Sequence, residues 1–326
     1  MIDNAKCQTP NAIHQTPNTK HQTPNTKHQT PNTKHQTLNP KPQTTNNKQQ
    51  TTNNKPQTPN LLYSPFTIAK KYLSYWLNAS NKNGHGVHSP FVFDLIINVL
   101  NDRKKEPCFQ EIESIRQLLK KNDDFIEVED FGAGSEVIKS NKRKISKIAS
   151  SSLKSPKYAQ LLHRLVKYFR PKNMVELGTS FGITSAYLAK GNPDAHLFTF
   201  EGASSISNIA ENNLKKLGVN NLELINGDFE KTLPPFLEKN ISIDFAFIDG
   251  NHREKPTIAY FESILSHCNE HSILVFDDIH WSEEMENAWN FIKNNQSVTL
   301  SVDLFFIGIV FFRKDFKEKQ HFAIQF

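Results

Sequence analysis

Apolar and polar positions follow two different periods along this chain. From Asn173 onward, short apolar runs alternate with stretches of helical spacing. The runs predict strands at 173–178, 196–201, 222–226, 244–249, 272–277, 298–303 and 306–312. Strands alternating with helices in this way imply an α/β fold, a Rossmann-like and mostly parallel seven-stranded sheet covered by helices on both faces. The last two runs adjoin across Asp303–Leu304. That connection is too short for a crossover, so the seventh strand is expected to run antiparallel beside the sixth. Between residues 61 and 170 the spacing is helical, with helices expected over Pro65–Leu77, Phe91–Leu100, Phe109–Lys121 and Lys157–Phe169. Gly84-His-Gly-Val-His-Ser-Pro90 interrupts them as a structured loop, a candidate lid or substrate loop, or else a turn packed on the core.

Before residue 61 neither period exists. Residues 7–62 are eight copies of a seven-residue unit, three of them identical (His-Gln-Thr-Pro-Asn-Thr-Lys from His14, His21 and His28). A seven-residue repeat suggests a coiled coil, but its a and d positions are not apolar and proline recurs, which helices reject. A disordered tail is expected. The chain thus divides into a tail at 1–60, a helical cap and substrate region at 61–155, and a cofactor-binding domain at 156–326.

Charge follows the same division. The net charge is +6, and residues 1–60 carry all of it with seven lysines and one acid, Asp3. The remaining residues are balanced, so a nucleic-acid partner is not expected. No run approaches the roughly 18 apolar residues of a membrane span. Cys7, Cys108 and Cys268 show no metal-ligand spacing and suit a reducing compartment, so a cytoplasmic location is expected. Oligomeric state stays open, a homodimer included.

The chemistry concentrates in Asn173-Met-Val-Glu-Leu-Gly-Thr-Ser-Phe-Gly-Ile-Thr-Ser185. A buried strand, a glycine turn and a helix N-terminus make a nucleotide site, with Gly178 and Gly182 letting the backbone approach a ligand. The middle glycine of a dinucleotide fingerprint is missing, and Glu176 stands where a diphosphate would be repelled. A positively charged ligand without phosphate fits better, and S-adenosylmethionine is one. Four acids then stand in phase at strand ends: Glu176, Glu201, Asp228 and Asp249. Glu201 lies about 20 residues past the glycine turn, where a carboxylate can bind both ribose hydroxyls. Asp130-Phe-Gly-Ala-Gly-Ser135 looks more like a cofactor turn, but the basic, serine-rich sequence after it denies it that context; an exposed loop that can fold over the site is expected. Leu233-Pro-Pro-Phe236 echoes a base-methylating motif but precedes the fourth strand and lacks the leading Asn or Asp.

Across roughly residues 155–326 this pattern resembles the class I S-adenosylmethionine-dependent methyltransferases. Within them it is similar to the catechol and caffeoyl-coenzyme A type of O-methyltransferase, through Phe247-Ile-Asp-Gly-Asn-His252 and Asp277-Asp-Ile-His-Trp281. The resemblance implies that Glu176, Gly178 and Gly182 line the methionine side, with Thr179, Ser180 and Ser185 also binding the cofactor. It puts Glu201 and Gly202 at the ribose, Asp228 and Phe229 at the adenine, and Asp249 beside the cofactor. It also implies a divalent metal, Mg2+, held by Asp249, Asp277 and Asp278, with His252 where the family places a general-base lysine. An imidazole with a pKa near 6.5 suits proton abstraction at neutral pH. In the alternative reading Asp277 and Asp278 cap a helix, with His280 and Trp281 packing beneath.

The expected activity is methyl transfer to an oxygen of a small hydroxylated acceptor. Two other readings stay open: an NAD-dependent oxidoreductase, and a non-catalytic scaffold that recruits a partner through its tail and the aromatic helix of Tyr72, Tyr75 and Trp76.

Overall fold

The computed structural model describes residues 62–80, 82–130 and 139–326. The repeat tail and the Phe131–Ser135 part of the predicted exposed loop lie outside them. The chain opens with α1 (Pro65–Asn78) and α2 (Pro90–Leu95), the latter continued by a single π turn over Ile96–Leu100. Next come α3 (Pro107–Lys121), a hairpin of β1 (Phe125–Asp130) and β2 (Lys139–Lys144), α4 (Ile145–Ser152) and α5 (Pro156–Phe169). The α/β portion then runs β3 (Asn173–Leu177), α6 (Ile183–Gly191), β4 (His196–Glu201), α7 (Ser204–Lys216), β5 (Leu222–Asn226), α8 (Phe229–Leu237), β6 (Ile243–Ile248), α9 (Glu254–Leu265), β7 (Cys268–Asp277), α10 (Glu283–Asn294), β8 (Leu300–Asp303), β9 (Ile307–Phe311) and β10 (Gln320–Ala323).

The main sheet has the order β10-β8-β9-β7-β6-β3-β4-β5. β9 is antiparallel to both β7 and β8, and the other pairings are parallel. The seven expected strands are therefore present, with the seventh reversed beside the sixth. An eighth, β10, extends the edge next to β8. Its short, half-polar sequence Gln-His-Phe-Ala shows no apolar run, which is why periodicity passes over an edge strand of this kind. Alternation along the central strands divides the core. Met174, Phe245 and Phe247 pack on one face with Leu161, Leu162, Leu165 and Val166 of α5. Val175, Ala246 and Ile248 pack on the other, against α8, α9 and α10.

Helices α5 and α10 start at signals carried in their own sequence, whereas β2 and α4 form in the basic, serine-rich stretch expected to be an exposed loop. Pro156 opens α5 after Ser155, and the helix ends at Arg170, whose left-handed conformation precedes Pro171. In α10 the Ser282 hydroxyl accepts from the Met285 N–H at 3.2 Å, and Glu283, Glu284 and Glu286 occupy the first turn. Helix α1 lies on Phe305 and Phe306. Tyr72 meets Phe305 edge-on at 5.0 Å, and Glu286 accepts from Tyr63 and Lys71. Two of the aromatic residues assigned to partner recruitment, Tyr72 and Tyr75, thus pack against the chain itself.

The tight seat of β9 under α10 is testable. A Cβ on Gly308 would lie 2.7 Å from the Trp289 ring, which is 2 % exposed. Gly308→Ala is expected to destabilise the fold by about 1–3 kcal/mol in urea unfolding, with the slope of the transition unchanged.

Candidate active site

The strand order reverses direction at β3, with β4 and β6 on either side, and the cavity opens beyond the C-terminal ends of these strands. It encloses about 1130 Å³. One wall comes from the strand ends: Gly178 and Ser180 after β3, Glu201 and Gly202 after β4, Asp228 and Phe229 after β5, Asp249 to Arg253 after β6, and Asp277, Asp278 and Trp281 after β7. The opposite wall comes from the cap, through β2, α4 and the Leu153–Ser155 link into α5.

Backbone geometry brings the strand ends together. Gly178 has φ +107°, and a Cβ there would sit 2.2 Å from the Asp249 carbonyl oxygen, so no side chain fits between the loops after β3 and β6. Gly182 adopts φ +77° at the start of α6, where a Cβ would meet Leu214 at 3.1 Å. Four non-glycine residues with left-handed backbones also line the cavity: Ser180, Asn251, His252 and Asp278, with φ 48°, 65°, 28° and 51°. Such conformations persist only where surrounding contacts hold them, and they gather at functional sites.

Several predicted residues lie behind the wall instead of on it. Glu176, Thr179, Gly182 and Ser185 do not line the cavity. Glu176 is fully buried, and its Oε2 accepts from the Ser185 hydroxyl at 2.5 Å and the Thr199 hydroxyl at 2.6 Å. Burial pushes its carboxyl up to about 8, against the opposing effect of these hydrogen bonds. Glu176 is therefore neutral at pH 7, and the expected electrostatic attraction for a cationic ligand is not supplied there. It braces the turn from beneath. Glu201 is placed as expected on the wall, with Oε2 accepting from the Ser180 N–H at 2.9 Å and Oε1 from the Ala203 N–H at 3.0 Å. Asp228 lines the cavity and also caps α8 through the Glu230 N–H at 3.1 Å. Phe229 packs across Gly250 and Tyr260.

The acids after β6 and β7 converge, together with a residue that sequence reasoning missed. The Lys154 ammonium contacts Asp277 and lies 3.7 Å from Asp278. His252 Nε2 lies 3.4 Å from Asp249 Oδ1. Burial works to lower both cationic groups, but the surrounding carboxylates outweigh it. Lys154 is raised above its usual range, and His252 is pushed up to about 9. The imidazole therefore carries a proton at neutral pH, contrary to the expectation of a free base near 6.5. Asp277 is 1 % exposed, and burial and Asp249 push its carboxyl upward against the pull of Lys154. Its Oδ1 has no hydrogen-bond partner among the described residues.

The side chains that converge to ligand distance are Asp249, His252 and Asp277, not the three aspartates expected to hold Mg2+. Mg2+ prefers an all-oxygen shell, and here one donor is an imidazole while an ammonium already sits on Asp277. The residues as arranged do not match the all-oxygen shell of Mg2+. The capping alternative also fails, because Ser282 caps α10. His280 points elsewhere, bridging Glu286 and Asp303 at 2.9 Å each, whereas Trp281 lines the cavity. The His85–Pro90 loop does not line the cavity, and His85 and His88 are exposed. Leu233-Pro-Pro-Phe236 lies inside α8, with Leu233 and Phe236 in the core. Lys154 sits in a serine-rich link without periodicity, and only the Ser155-Pro156 helix start beside it offered a local signal.

Residues 175–279 match the family described as a methyltransferase domain. A catechol O-methyltransferase from Niastella koreensis is 26% identical over 128 residues, covering 38% of this chain and 57% of that protein. A protein-L-isoaspartate O-methyltransferase from Ignicoccus hospitalis is 28% identical over 88 residues, covering 27% and 42%. The chain thus spans about half the length of these curated relatives. Among solved structures it is similar to an O-methyltransferase from Bacillus cereus in complex with SAH, at 18% identity and TM-score 0.47, covering 68% of this chain and 95% of that one. A Podospora anserina methyltransferase bound to SAH aligns at 12% identity and TM-score 0.48, covering 78% and 98%.

Two measurements check these electrostatics. The folded-state pKa of Glu176 is raised, so the folded chain binds this proton more tightly than the unfolded chain. Stability should then fall as pH rises from about 4.5 to 8, by up to about 1.4 kcal/mol per pH unit. Glu176→Gln is expected to flatten that fall in unfolding midpoints measured across this range. Histidine NMR, with His252→Gln identifying the signal, should show His252 titrating near pH 9 and shifting toward about 6.5 in Asp249→Asn.

Proposed function

We propose that the protein is an S-adenosylmethionine-dependent O-methyltransferase acting on a small hydroxylated acceptor. The observation that carries this reading is the single cavity wall formed by Gly178, Ser180, Glu201, Asp228 and Phe229, inside the methyltransferase domain, facing a buried charged cluster. A cavity of 1130 Å³ has room for the cofactor and a small acceptor together. Glu201 is the candidate ribose ligand, Asp228 and Phe229 the candidate adenine ligands, and Asp249 the group beside the reacting end. S-adenosylmethionine, when bound, supplies a methyl group already activated on a sulfonium.

The chain's part is then to hold an acceptor oxygen in line, keep water out and manage one proton. Trp281 and Leu153 supply apolar wall near the acids. His252 is the group placed to deal with the hydroxyl proton. Protonated, it donates to an acceptor oxygen; in the neutral fraction, about one in a hundred at pH 7 for a pKa near 9, it accepts the proton. Mg2+ does not fit the residues as arranged, so no step here depends on a metal. No helix of the described residues is long and apolar enough to cross a membrane.

Calorimetric titration of the full chain with S-adenosylhomocysteine tests the reading. Saturable binding is expected, weakened at least about tenfold in Glu201→Ala. Binding of NADH with no binding of S-adenosylhomocysteine would overturn it in favour of the oxidoreductase.

A further inference from the structure

Lys154 is held as few surface lysines are. It stands in the three-residue link between α4 and α5, and its side chain is 13% exposed. Its backbone carbonyl accepts from Arg116 Nη1 at 2.6 Å. Arg116 is itself 1 % exposed and paired with Glu113 at 2.9 Å, and Glu113 in turn accepts from the Tyr187 hydroxyl at 2.9 Å. A buried chain of contacts from α3 and α6 therefore fixes the origin of the Lys154 side chain. The four-carbon stem then delivers the ammonium onto Asp277, beside Asp278. Side chains supported in this way are preorganised for a role at their tip.

We propose that Lys154 is the built-in cation of the site: its ammonium takes the place of a divalent ion among Asp249, Asp277 and Asp278 and offers a hydrogen bond to the acceptor oxygen. The proposal deepens the methyltransferase reading and rests on it for the acceptor, but the occupancy of the cluster stands on geometry alone. The ammonium contacts Asp277 and lies 3.7 Å from Asp278, so it already occupies the position between these acids that a bridging cation would take. A dication on the same carboxylates would stand against this ammonium, and like charges in a largely buried space repel strongly. An ammonium has three donors. Asp277 takes one and Asp278 is within ion-pair range of another, which leaves one for an oxygen in the cavity that Lys154 lines.

Mn2+ is the probe, followed by electron paramagnetic resonance on the full chain at neutral pH. The wild type is expected to take up no Mn2+ in the acid cluster. Lys154→Met, which keeps the stem and removes the charge, is expected to bind Mn2+ in the cluster where the wild type does not. That gain should disappear in Lys154→Met/Asp249→Asn, which separates the cluster from the histidines of the tail. Lys154→Arg, which keeps the charge, should behave as the wild type does, and circular dichroism of Lys154→Met checks that the methionine variant is folded. Wild-type Mn2+ binding that Asp249→Asn abolishes, or no gain in Lys154→Met, would overturn the proposal. Failure of S-adenosylhomocysteine to bind would overturn the methyltransferase reading instead and would leave the Mn2+ comparison intact.

Discussion

The site depends on one close approach. The loops after β3 and β6 touch at Gly178 and the Asp249 carbonyl, at a separation that excludes even a methyl group. Because these strands are neighbours in the sheet, that contact fixes where Asp249 stands relative to the glycine turn. The turn in turn presents the Ser180 N–H to Glu201 at the end of β4. One steric constraint thereby ties the ends of three adjacent strands, and the acids they carry, into one wall. Glu176 holds the arrangement from below as a neutral, hydrogen-bonded wedge, so the most acidic-looking residue of the turn works as part of the core.

Above this wall the governing issue is charge. Asp249, Asp277 and Asp278 stand close together in a largely buried space, a configuration that costs several kcal/mol unless compensated. The compensation comes from two directions. His252 is supplied by the strained loop that carries Asp249, and Lys154 by the cap. The cap is therefore more than a lid of variable sequence. Through the Arg116–Glu113–Tyr187 chain it is bolted to α6, and it contributes the ammonium paired with Asp277 and Asp278. Ser152 adds a second tie, its hydroxyl 3.0 Å from that of Ser180 at the glycine turn.

The contrast between Lys154 and the His85–Pro90 loop shows how local signals mislead about the acceptor side. Glycines, histidines and a Ser-Pro step made that loop conspicuous, yet it lies away from the cavity. The serine-rich link around Lys154 had no pattern at all and supplies the cavity's opposite wall. Conspicuous turn residues report backbone geometry, and backbone geometry alone does not say which surface a loop will face.

Much of the fold was legible in the residues by themselves. Apolar runs spaced by helical stretches determine a parallel sheet, because strands buried on both faces must be apolar at every position and crossovers must be helical. The same logic placed Glu201, Asp228 and Asp249 together, since parallel strands send their C-terminal ends to one edge of the sheet, but it also counted Glu176, which lies behind the wall. What the sequence could not decide were quantities set by packing across long separations. The protonation of Glu176 and His252 depends on burial and on neighbours far off in sequence, Asp249 acting on Glu176 and Asp277 on His252. The short strand β10 exists because β8 offers it an edge, not because of its own pattern. Lys154 meets Asp277 across more than a hundred residues of chain, and only the docking of α4 and α5 on the sheet brings them into contact. Periodicity is a property of neighbours along the chain, whereas charge compensation is a property of neighbours in space.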